Sequence, residues 1–183
     1  MTKKYWMFAA LPILCAACAG SQSEQVRDNK MERIEQTAEN QAEGVDQRAE
    51  KKQEMVDQNF AAQKEAVTAS DTPSAERSGE MLDLAKDRSD YQVKTRAELD
   101  KLGVRLQAAQ EKMTVLGAKA SAPLKQEMKV LSKEQATLQE NLAEMTEAAP
   151  ANWEANKSKI DDRISALDTR IDKVTSQIDD AAS

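Results

Sequence analysis

The apolar residues of this chain recur at helical spacings almost throughout, with two different periods. Between residues 33 and 67 the period is eleven. Ile34, Val45, Val56 and Val67 form one column, Gln36, Gln47 and Gln58 follow two places on, and Ala38, Ala49 and Phe60 four places on. Eleven residues in three turns keep these positions on one side of a nearly straight helix. Ser21-Gln22-Ser23-Glu24 has the spacing of a capping box and marks the start. A helix over 24–69 would reach about 70 Å, which suits a stalk. Its stripe is narrow, Val and Ala edged by Gln and Glu, and fits a helical spacer or loose coiled-coil strand. A partly disordered linker stays open; a membrane-lying helix would want basic borders and more apolar area.

After Ser70 the period shortens to seven. Thr72 can cap and Pro73 suits the first helical position of a second helix running to about Leu116, where Gly117 offers a stop. Its later core reads Leu99, Leu102, Leu106, Ala109, Met113, Leu116. Its earlier half holds Met81, Leu82, Leu84 and Ala85, then a polar gap at Arg88 and Gln92. Ser121 and Pro123 start a third helix with Leu124, Met128, Leu131, Gln135, Leu138, Leu142 and Met145 in four-three rhythm. Ala149-Pro150 start a fourth, whose seam runs from Trp153 and Lys157 through Ile160, Ile164, Leu167, Ile171, Val174 and Ile178 to Ala181. Short links make such helices antiparallel neighbours. The expected fold is all-α: a signal at 1–17, a long N-terminal helical stalk at 18–70, then an antiparallel three-helix coiled-coil bundle at 71–183.

Helix lengths add a constraint. The last helix covers roughly 39 Å and the second nearly 70 Å, so the first half of the second projects beyond the bundle. Its only intrachain candidate partner is the repeat helix. Left uncovered, Met81, Leu82, Leu84 and Ala85 would invite a second chain or another protein, and they are the candidate partner-binding residues.

The start of the chain changes the picture. Lys3 and Lys4 precede an uncharged run, residues 5–17, too short to span a bilayer and interrupted by Pro12. Ala16-Ala17-Cys18 then supplies two small residues and a thiol. This resembles the lipobox of bacterial lipoproteins, with Cys15 standing where that family usually has Leu. The resemblance implies that Cys18 carries diacylglycerol and becomes the first mature residue. Ala19 after it implies the outer membrane, and the absence of Lys at Ser183 implies no covalent link to peptidoglycan. Cleavage after Ala19, releasing a soluble chain from Gly20, satisfies a small-x-small rule as well.

Composition narrows the chemistry. Net charge −6 becomes −8 once Lys3 and Lys4 leave, which argues against nucleic acid. Aromatics are 3% of the chain and histidine is absent, removing the commonest general base and metal ligand. Both cysteines, Cys15 and Cys18, lie in the signal region. Met113, Met128 and Met145 fall on core positions, Gln135 and Lys157 set register, and Trp153 caps a bundle end. Asp161-Asp162 and Asp179-Asp180 point about 100° apart on a helix and read as solvated surface rather than calcium ligands.

No enzyme, cofactor, metal site or small-molecule substrate is expected. The sequence points to a periplasm-facing coiled-coil protein of the outer-membrane inner leaflet, held through Cys18, with a spacer or scaffolding role. The alternative is an envelope accessory or chaperone-like binding protein that presents a helical surface to a client.

Overall fold

The computed structural model describes residues 17–69, 73–145 and 152–182. The basic and apolar parts of the expected export signal, the expected Thr72 cap and the expected Ala149-Pro150 start lie outside the described residues. Four helices make the fold: α1 (Ala17–Thr68), α2 (Pro73–Leu116), α3 (Ala122–Met145) and α4 (Trp153–Ala182). Among the described residues there is no strand.

Local chemistry sets the boundaries. At Gly117 the backbone takes φ +57°, a left-handed conformation that glycine adopts without a Cβ clash, and α2 ends in a 3-10 turn over Gly117–Lys119. Ser121 then caps α3, its Oγ accepting the Leu124 N–H at 3.4 Å. At its own start α1 is already helical from Ala17, four residues ahead of the Ser21–Glu24 spacing, so Cys18 belongs to its first turn.

The second half of α2 packs with α3 and α4 around one core. Leu99, Leu102, Leu106, Ala109, Met113 and Leu116 are buried against the predicted seams of α3 and α4, with Met128 and Met145 filling the core as expected. Cross-helix pairs fix the directions. Gln135 of α3 donates to the Leu99 carbonyl at 3.2 Å, while Arg105 of α2 donates to Asp168 and Asp172 of α4. Arg170 of α4 holds Glu127 at 2.8 Å and Glu134 at 2.5 Å on α3. The directions are therefore up, down and up for α2, α3 and α4.

The long N-terminal helix is present, and it does not stand free. It lies antiparallel along α2, in a register held by Glu35 with Lys112, Asp46 with Lys101, Gln53 with Asp90, Asp57 with Lys86 and Lys64 with Asp83. Met31, Ile34, Ala38, Ala42, Val45, Ala49, Gln53, Val56, Phe60 and Val67 are among the partly or fully buried positions, so the columns that begin at Ile34 and Ala38 form the stripe that faces α2, while Gln36, Gln47 and Gln58 are exposed. A fourth column, Glu35, Asp46 and Asp57, is also spaced by eleven and supplies the carboxylates for three α2 lysines. Few large side chains are involved: on α1 only Met31 and Val45 are fully buried among the described residues.

Candidate functional site

Three places are candidates: the cysteine of the lipobox resemblance, the end of the three-helix bundle, and the hairpin that α1 and α2 form beyond it. Cys18 is helical backbone at one end of the rod. It shares that end with the α2–α3 turn and the end of α4, because α1 and α2 are antiparallel while α2 and α4 are parallel.

The bundle closes at its other end on Trp153. This residue is buried, as an end cap should be, and its ring meets Tyr91 edge-on at a centroid distance of 5.6 Å. Arg88 lies over the indole, 4.9 Å from its centroid, which places a guanidinium in what reads in sequence as a polar gap. Tyr91 donates to Asp161 at 2.8 Å; burial, and then that carboxylate, push its phenol well above the usual range. Lys157 does not enter the core: its ammonium pairs with Asp161 at 3.1 Å and sits over the Tyr91 ring.

Beyond this layer, among the described residues, only α1 and α2 continue. Of the four candidate contact residues, Met81 is 66% exposed, Leu84 43%, and Ala85 is exposed too. Leu82 is half-buried, on the same side of α2 as Lys86, which bonds Asp57 of α1 at 2.6 Å. The patch thus divides, with three residues facing out and one facing α1. The hydrogen bonds that Lys86 donates to Asp57 and then to Asp90 raise its pKa, so that contact stays charged.

One group was not legible as a site. The Lys112 side chain, 4% exposed, joins three helices by donating to Glu35 of α1 at 2.5 Å and to Asp179 of α4 at 2.9 Å. Burial alone would lower its pKa, but the two carboxylates outweigh that and hold it above the usual value. The signal in sequence was the acidic column spaced by eleven, which a search for apolar columns passes over.

Among the described residues no group of three or more potential ligands could hold a metal ion, and no helix is long and apolar enough to cross a membrane. Asp161 and Asp179 serve as acceptors for Tyr91 and Lys112. Comparison with protein-family models, with curated proteins and with solved structures gave no match.

Proposed function

We propose that this chain is a lipid-anchored helical spacer or scaffold of the cell envelope, held through Cys18 in the inner leaflet of the outer membrane and facing the periplasm. One juxtaposition carries the reading: the lipobox cysteine occupies the first turn of an uninterrupted 52-residue helix. Acylation there would set the far end of α1 about 75 Å from the lipid, at 1.5 Å per residue. α2 lies along this helix from about Met31 onward and α3 and α4 thicken the part beside Lys112, so only the first turns of α1, roughly 20 Å at 1.5 Å per residue, stand as a single helix between Cys18 and the bundle. Two or more acyl chains are needed for a stable hold, which fits a diacylated cysteine. The reading assigns no catalytic residue, cofactor or small-molecule substrate.

The test is the intact mass of the protein from the membrane fraction of a bacterial host, beside a Cys18→Ser control. A chain beginning at Cys18 with acyl mass, absent from the control, is the expected result. An unmodified soluble chain beginning near Gly20 would sink the tether. A second reading, an accessory that presents the hairpin to an envelope client, is favoured by the exposure of Met81 and Leu84. A single stoichiometric client, crosslinked in membranes and lost on Met81→Asp with Leu84→Asp, would support it.

A further inference from the structure

The two flanks of the rod differ in charge. The ion pairs from Glu35, Asp46 and Asp57 lie on the side of α1 toward α4, because Lys112 bonds both Glu35 and Asp179. The opposite flank is a strip of unpaired cations. On α2, Arg96, Gly103, Gln110 and Gly117 are spaced by seven and form one straight stripe, with Asp100, Gln107 and Thr114 between them. This stripe borders two open grooves. Arg48 and Lys52 of α1 line one together with Arg96, and Lys125 and Lys129 of α3 line the other together with Gln110 and Thr114. Lys30 continues the α1 side, since Lys30, Gln41 and Lys52 are spaced by eleven, and Lys133 continues the ridge of α3.

All of these cations are exposed and, among the described residues, none forms an ion pair, in a chain whose net charge is −6. The nearest carboxylates on α2, Asp100 and Glu111, accept instead from Gln139 at 3.2 Å and Gln107 at 3.0 Å. Local stability does not account for the α3 lysines. That helix has no acidic residue in its first turn and no basic one in its last. Lys125 and Lys129 stand near its start and Glu140 and Glu144 near its end, the reverse of the order that the helix dipole favours.

We infer that this flank binds a linear acidic glycan, a carboxylate-bearing polysaccharide lying lengthwise along the rod. The cations are strung out rather than converged. Lys30 to Lys52 covers about 33 Å and the α3 lysines recur about every 6 Å, which suits a charged polymer and not a small anion. Between them the exposed Gln41, Gln107, Gln110, Thr114 and Ser132 offer the amides and hydroxyls that sugar hydroxyls pair with. Phe60, Tyr91 and Trp153 lie elsewhere, so the strip has no stacking surface for bases. An acidic peptide finds no sheet edge here to hold its backbone. A bilayer has the wrong placement, an argument that rests on the end-on anchor proposed above. Under it the strip starts about 18 Å beyond Cys18 and runs away from headgroups whose charge is screened within about 8 Å at physiological salt.

The experiment titrates oligogalacturonate into the full chain, purified in neutral detergent, and reads binding by calorimetry. We expect saturable binding that weakens as salt rises, and none to neutral dextran. Lys125→Glu with Lys129→Glu lowers the affinity about tenfold or more. The helix dipole favours glutamates there, so helix content and melting temperature do not fall. Lys173→Glu, also exposed but on α4, leaves the affinity unchanged. The inference is overturned by absence of binding, by binding that ignores salt, by binding that survives the two glutamates, or by an equal loss with Lys173→Glu. It is overturned too if polyglutamate, or detergent micelles carrying phosphatidylglycerol, bind more tightly than the uronate at equal charge. Acyl mass is read from the same preparation, so loss of the tether and loss of glycan binding are separate results.

Discussion

The three-helix bundle and the projecting hairpin are built from the same kind of sequence, yet different forces hold them. In the bundle, Leu99, Leu131, Leu138, Leu167 and Ile178 lose all contact with solvent. Along the hairpin the facing positions, Gln53, Val56, Phe60 and Leu82, are only half-buried, and the register is written in ion pairs such as Lys64 with Asp83 at 2.7 Å, both partners more than half exposed. Buried area supplies stability, whereas exposed pairs supply mainly register. The bundle is the stable unit, and the hairpin is an extension whose geometry matters more than its energy.

The sharpest way to break this comparison is a pair of core deletions. Leu138→Ala should cost about 3 kcal/mol in chemical denaturation, and Val56→Ala in the hairpin less than about 1 kcal/mol. Equal losses would mean that the hairpin folds as part of the core. Next in size is the clip between the two regions. Glu35→Ala with Asp179→Ala strands a buried ammonium and should cost about 2 kcal/mol. Because the pKa of Lys112 is raised, its contribution is complete below 10.5, the ordinary lysine value, and is lost as pH rises beyond it. The wild type should therefore lose stability above that pH, and the double variant should lose less. Gly79→Ala comes third: a Cβ there meets nothing within 4 Å, so amide exchange in the hairpin should slow by an amount worth about 0.7 kcal/mol. In the bundle, Gly103→Ala brings a Cβ to 3.0 Å from Gln135 Nε2 and should bring no gain. The smallest effect is Lys64→Ala, below about 0.5 kcal/mol in thermal unfolding.

How much was legible follows the same division. The heptads from Leu99 onward named the bundle core nearly residue by residue, because a seven-residue apolar period leaves one packing solution for three short-linked helices. Gly117 as a stop and Ser121 as a start were equally readable, since each rests on local backbone chemistry. The course of α1 was not written in its apolar columns. Val45 and Ala49 describe a stripe without naming what lies against it. Matching Glu35, Asp46 and Asp57 to Lys112, Lys101 and Lys86 requires knowing that the helices are antiparallel. Met31 is not legible as core because it precedes the first clear repeat, and sequence proximity hides that Leu82 takes a different side of the helix from Met81. The lipobox resemblance named Cys18 from short-range pattern alone, whereas the surface of Met81 and Leu84 needed the bundle's actual end.

An even number of helices brings the first turn of α1 and the last of α4 to one end, with mechanical and practical consequences. A load applied between those two ends would peel the rod open like a zipper, first breaking contacts around Met31 and Lys112, and would never stretch the far hairpin. A load between Cys18 and the hairpin turn would instead run along the axis of α1, against all of its hydrogen bonds at once. A fluorophore or affinity tag attached after Ala182 would report on the end of the rod that carries Cys18. Only an insertion between Thr68 and Pro73 would display its cargo at full distance.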